Sequence, residues 1–192
     1  MKHSALKTLL LTLLFFGFAA TLSAQDDNTD NHDVTVTVPE VARLDIETAG
    51  NSSLALGPVD SGEAGAPLDF SSATDNTLWI NYSSTVGSTT EATRKVTVAI
   101  TDGTVPGGMD LKVVSAVDAG NGEGTVGTPT AEVNLDATAQ DVITGIGSCY
   151  TADGVNNGHQ LTYSLVRGGD YSDIDFDESG TVLTITYTLT DN

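Results

Sequence analysis

Thr181-Val182-Leu183-Thr184-Ile185-Thr186-Tyr187-Thr188-Leu189-Thr190 is an amphipathic β-strand written out in full. Leu183, Ile185, Tyr187 and Leu189 fall on one side and Thr184, Thr186, Thr188 and Thr190 on the other, the period of two that a strand with one buried face requires. Threonine and isoleucine branch at Cβ, which favours the pleated backbone over a helical one.

Upstream, the same period recurs. Leu78, Ile80 and Tyr82 alternate with Trp79 and Asn81, Val96, Val98 and Ile100 with Thr97 and Ala99, and Leu161, Tyr163 and Leu165 with their polar neighbours. The first two of these runs are expected to be neighbouring strands. Leu111, Val113 and Val117 predict a further strand after the turn residues Asp102-Gly103 and Pro106-Gly107-Gly108. Val34, Val36 and Val38, then Ala42, Leu44 and Ile46, predict two more, with Arg43, Asp45 and Glu47 on the wet side of the second. Leu54 to Leu56, Glu132 to Leu135 and Val142 to Ile143 are short candidates, and 57–76 is a long loop with at most a strand near Pro67 to Phe70. No stretch after residue 24 shows a 3.6-residue period. The fold expected is all-β, an antiparallel β-sandwich of about nine or ten strands with an immunoglobulin-like or Greek-key arrangement.

The start of the chain has another character. Lys2 and Lys7 precede a run of about a dozen apolar residues, Leu9 to Ala20, and Leu22-Ser23-Ala24 precedes Gln25, the layout of a secretory signal peptide. The run is too short for the ~20 residues of a spanning helix. The expected organisation is a signal peptide over 1–24, a disordered acidic leader over 25–33 and a single β-sandwich domain over 34–192. Loss of Lys2 and Lys7 with the signal leaves 26 acidic residues against five basic ones. Such a charge repels nucleic acid and anionic lipid headgroups. The destination expected is periplasm, cell surface or medium, with no transmembrane anchor in the mature chain. Cys149 is the lone cysteine, so no intramolecular disulfide forms, and a small buried hydrophobe is its expected role.

Several residues carry chemistry in principle. Asp173, Asp175 and Asp177 alternate along one strand-like run with Glu178 beside them, the oxygen ligands a calcium ion takes. Glu178 occupies the position where an EF-hand loop needs glycine. The alternative is an edge strand whose outward acids block aggregation while Ile174 and Phe176 enter the core. Trp79 stands opposite the apolar face of its strand, where it stacks on a glycan or is covered by the 57–76 loop. Val34, Val36 and Val38, following a polar leader, have the layout of a strand that adds to another subunit's sheet, or that pairs within its own domain. His159, with Ser148, Cys149 and Asp153 near it in sequence, is the sole basis for a hydrolase; the expected place for His159 is a surface or turn. Gly122-Glu123-Gly124-Thr125-Val126-Gly127 has dinucleotide-site spacing, but Thr128-Pro129-Thr130 follows where a helix is needed, so a flexible β-turn loop is expected.

The terminal Leu183-Thr184-Ile185-Thr186-Tyr187-Thr188-Leu189-Thr190-Asp191 is similar to the ending of WxL cell-wall-binding domains, with Tyr187 where their tryptophan stands. The export signal and all-β pattern together resemble pilus and spore-coat-like subunits, without a pilin cysteine pair. The match lies within the last tenth of the chain and transfers no functional residue. The resemblance implies an exported, non-enzymatic structural or adhesive surface protein, a fibre or matrix subunit whose partners are itself or other surface proteins. An extracellular carbohydrate- or calcium-binding module is the alternative, and a hydrolase the remote one.

Overall fold

The computed structural model describes residues 29–177 and 179–192. The expected signal peptide, the first residues of the leader and Glu178 lie outside the described residues. The chain divides after Val38, and the strands all belong to Pro39–Asn192.

Among the described residues there are nine: β1 (Val41–Thr48), β2 (Thr74–Thr85), β3 (Arg94–Asp102), β4 (Met109–Ser115), β5 (Glu123–Pro129), β6 (Val133–Asn134), β7 (Gln140–Tyr150), β8 (His159–Arg167) and β9 (Thr184–Asp191). Every pairing is antiparallel, the all-β antiparallel class that the alternation predicts. The ladder runs in two groups, β1-β2-β8-β4-β6 and β5-β7-β3-β9, joined where Ser83 and Ser84 of β2 face Tyr150 and Cys149 of β7. Twelve-residue β2 makes this possible, because β8 takes the first half of one edge and β7 two positions near its end, Ser83 and Ser84, while β1 lines the other edge.

Both groups feed one core. Leu78, Ile80, Tyr82, Leu111, Val113, Leu161, Tyr163 and Leu165 come from the first, and Val96, Val98, Ile100, Val142, Ile143 and Ile146 from the second. Burying each large aliphatic side chain is worth about 1.5–3 kcal/mol, so this set carries most of the drive to fold.

The structure departs from the sequence-based expectations at definite points. The first strand starts at Val41, not Val34: Pro39 has no N–H for a ladder, and Thr85 Oγ1 donates to Pro39 O at 2.9 Å and accepts from Val41 N–H at 2.6 Å, setting the first register pair at Val41 and Thr85. Leu54 and Leu56 pack against the core without forming a strand, and the following loop holds only a Val59–Asp69 bridge. The strands of Leu78 and Val96 are not neighbours, since β7 runs between them. Val117 lies beyond the end of β4 and is exposed, its place on the inner face being taken by Ser115.

Gly122 to Gly127 is not a flexible loop: Glu123 to Gly127 opens β5, with Gly122 just before it, pressed onto β7. A Cβ at Gly122 would sit 1.8 Å from Tyr150 O, and one at Gly124, whose φ is +93°, 2.2 Å from Ser148 O. These glycines are therefore needed for backbone contact, not for mobility. Finally, the acidic run forms no strand. Tyr171–Asp173 is a single 3-10 turn, Asp173, Asp175 and Asp177 are exposed, and Phe176 stands 87% exposed instead of entering the core.

Candidate functional site

Among the described residues, the acids expected to hold calcium do not converge. Asp177 spends its carboxylate locally, accepting from Ser179 N–H at 3.0 Å and Ser179 Oγ at 2.7 Å, and these bonds hold its pKa below the usual carboxylate value. The donor set at Asp173, Asp175 and Asp177 does not fit a bound ion. One cluster of three carboxylates does form, from Glu40, Glu91 and Asp191, whose oxygens lie within 4.8 Å of one another.

A cation of the chain itself sits beside that cluster. Arg94, 2% exposed, donates through Nε to Asp191 at 2.9 Å, through Nη1 to Val41 O at 2.7 Å, Thr85 O at 2.9 Å and Ser84 Oγ at 3.2 Å, and through Nη2 to the Glu40 carboxylate. A planar guanidinium with five N–H groups can satisfy this many acceptors at once. Arg94 thereby ties the start of β1 to the end of β9, two strands that do not pair with each other.

His159 is fully buried at the head of β8, not at a surface turn. The period set by Leu161 and Tyr163 places it on the inner face, which is the signal that could have found it. Its ring stacks on Tyr82, with centroids 5.6 Å apart and planes at 15°. Nδ1 lies 2.9 Å from Ala116 O, a pure acceptor, so Nδ1 carries the proton. Nε2 lies 2.7 Å from the Tyr82 hydroxyl, whose single proton also faces Val126 O. Burial pushes the Tyr82 pKa up, with the Cys149 and Asp118 charges adding to the effect. Neither nitrogen meets Ser148, Cys149 or the Asp153 carboxylate, so the sequence-adjacent triad is not assembled. Tyr82 links β2 to β5 and so joins the two strand groups, as does the Tyr163–Tyr187 hydroxyl pair at 2.6 Å. Cys149 is half-buried against the core, and burial, with the Asp118 carboxylate second, pushes its thiol up to about 11.

The outer face of β1 and β2 is more open. In-register partners in an antiparallel pair share a face. Glu47, Trp79 and Gln160 thus form one row, Asp45 and Asn81 the next, and Arg43, Ser83 and Tyr150 a third. Trp79 is half-buried, between the two expectations for it. Beyond it the face sinks into a groove of about 860 Å³ whose lining includes Arg43, Asp45, Asn81, Ser83, Tyr150 and Asp153. The sequence pattern shows Arg43 and Asp45 as outward residues, but not that Tyr150 and Asp153, more than a hundred residues on, close the end of their face.

Val34, Val36 and Val38 form no strand and are 72%, 81% and 78% exposed. Among the described residues no helix is long and apolar enough to cross a membrane. No family model matches the chain, and no curated protein or solved structure matches it.

Proposed function

We propose that the chain is an exported, non-enzymatic structural or adhesive surface protein, a fibre or matrix subunit that assembles by adding Val34–Val38 to the sheet edge of a second copy. The observation that carries this reading is the exposure of three alternating valines in a segment of pure β-forming composition. Acceptor edges are available, since among the described residues β1, β5, β6 and β9 each pair on one side only.

The energetics favour reversible association. Burying three valines contributes about 5 kcal/mol, whereas ordering five residues costs roughly 5–10 kcal/mol of backbone entropy. Ladder hydrogen bonds, each worth about 1 kcal/mol net, bring the sum near balance and make assembly depend on concentration.

Light scattering of the purified exported protein against its Val36→Asp variant tests this. Concentration-dependent oligomers in the parent and monomers with an unchanged circular dichroism spectrum in the variant are expected. A parent that stays monomeric at high concentration overturns the reading.

A further inference from the structure

We propose that the groove on the outer face of β1 and β2 binds a neutral oligosaccharide. Its volume, about 860 Å³, lies in the range of small-ligand sites. Tyr150, 46% exposed, presents an aromatic surface at one end, and its ring suits the apolar face of a sugar. Sugar hydroxyls both donate and accept, and the lining offers both kinds of partner: the Asp45 and Asp153 carboxylates accept, while Arg43 and Ser83 donate. Arg43 has no carboxylate partner among the described residues, which leaves its fork free for a ligand.

Asn81 adds an independent indication. It is 4% exposed, and its Nδ2 donates to Asn157 O at 2.7 Å, yet its Oδ1 is buried with no donor among the described residues. Asn81 lines the groove, and a donor reaching Oδ1 would relieve the cost of a buried acceptor left without one. The loop that borders it holds Ala152 and Asn156 at φ of +65°, a conformation uncommon for residues with a Cβ, and loops kept in such conformations concentrate at ligand sites.

The face continues past the groove to the Glu47-Trp79-Gln160 row. Four residues along β2 separate that row from the Ser83–Tyr150 pair, about 14 Å at strand rise. An aromatic ring therefore stands at each end of a polar track longer than one sugar ring. Mixed charge within the track selects against strongly anionic and strongly cationic ligands alike, and the acidic chain as a whole adds to the rejection of anions.

The test is an array of neutral glucans, mannans and N-acetylglucosamine oligomers, with sialylated glycans as comparison, probed with the exported protein. Titration of the best-retained tetrasaccharide follows, read by Trp79 fluorescence. Retention of a neutral oligosaccharide is expected, weakened at least tenfold by Tyr150→Ala and by Arg43→Ala, largely kept by Tyr150→Phe, and unchanged by Phe176→Ala. Retention of no neutral saccharide, retention of charged glycans alone, or equal affinity in parent and Tyr150→Ala overturns the proposal. It goes beyond the assembly reading, and the titration is repeated on Val36→Asp. Binding by that variant with no oligomers in the parent would sink assembly alone, whereas oligomers with no glycan retained would sink the groove alone.

Discussion

Replacing Arg94 by alanine is the most demanding test of how the β-body is closed. The substitution deprives Val41 O and Thr85 O of their guanidinium donors in a nearly dry site, and each such loss costs about 1–3 kcal/mol. Glu40 and Asp191 also lose their partner, but their side chains are 64% and 47% exposed and return to water cheaply. The total is taken as about 3 kcal/mol, within the roughly 2–6 kcal/mol of two such losses and at the lower end of the 3–5 kcal/mol typical of breaking a fully buried pair. In urea, with a slope of about 2 kcal/mol/M for a body of this size, the midpoint should fall by about 1.5 M. The melting temperature should fall by about 6–12 °C. Glu40→Gln and Asp191→Asn should each cost under about 1 kcal/mol alone, and nothing further in the Arg94→Ala background. A midpoint shift below about 0.5 M at unchanged slope would refute the view that Arg94 closes the body.

Two other outcomes follow from the β5–β7 contact and from Cys149. Gly124→Ala meets Ser148 O at a positive φ and should lower stability by at least about 3 kcal/mol in thermal melts, whereas Gly145→Ala, also at positive φ but in open space, should cost about 1 kcal/mol. Equal losses would remove the argument from close backbone approach. With its thiol raised to about 11, Cys149 should react with iodoacetamide at pH 8 about 100-fold more slowly in the native protein than after unfolding. The same shift makes native stability fall as pH rises from the unfolded thiol value near 9 through 11, because only the unfolded chain ionises readily there. Equal alkylation rates in the two states would contradict the burial.

The parts of the fold legible in the sequence are those where one strand face alone meets the core. Val96, Val98 and Ile100, Leu161 to Leu165, and Leu183 to Leu189 alternate cleanly because their other face is wet. β7 hides behind its glycines: Gly145 takes a φ of +70° and the register with β3 shifts twice, so no period survives over eleven residues. β5 is illegible for a different reason, since its glycines answer to the backbone of another strand. The run Asp173 to Asp177 reads as a strand by period yet turns locally, with Asp177 capping its own following residues. Of the candidate site, Trp79, Arg43 and Asp45 lay on the outward phase, but their alignment with Tyr150 depends on a β2–β7 junction of only two register pairs. Arg94 sits in phase with Val96 and Val98 and passes for an inner position. Its acidic partners are 54 and 97 residues away.

The Arg94 clasp also sets how the body responds to force. Among the described residues β1 pairs only with β2 and β9 only with β3, and the ends gathered at Arg94 are the first residues of one and the last of the other. Tension drawn between Glu40 and Asp191 falls first on that one side chain. Once it yields, each strand is peeled from its partner one register pair at a time, Val41 from Thr85 and Asp191 from Arg94, with no set of ladder bonds sharing the load in parallel. A pull between these two ends therefore opens the body like a zipper at low force.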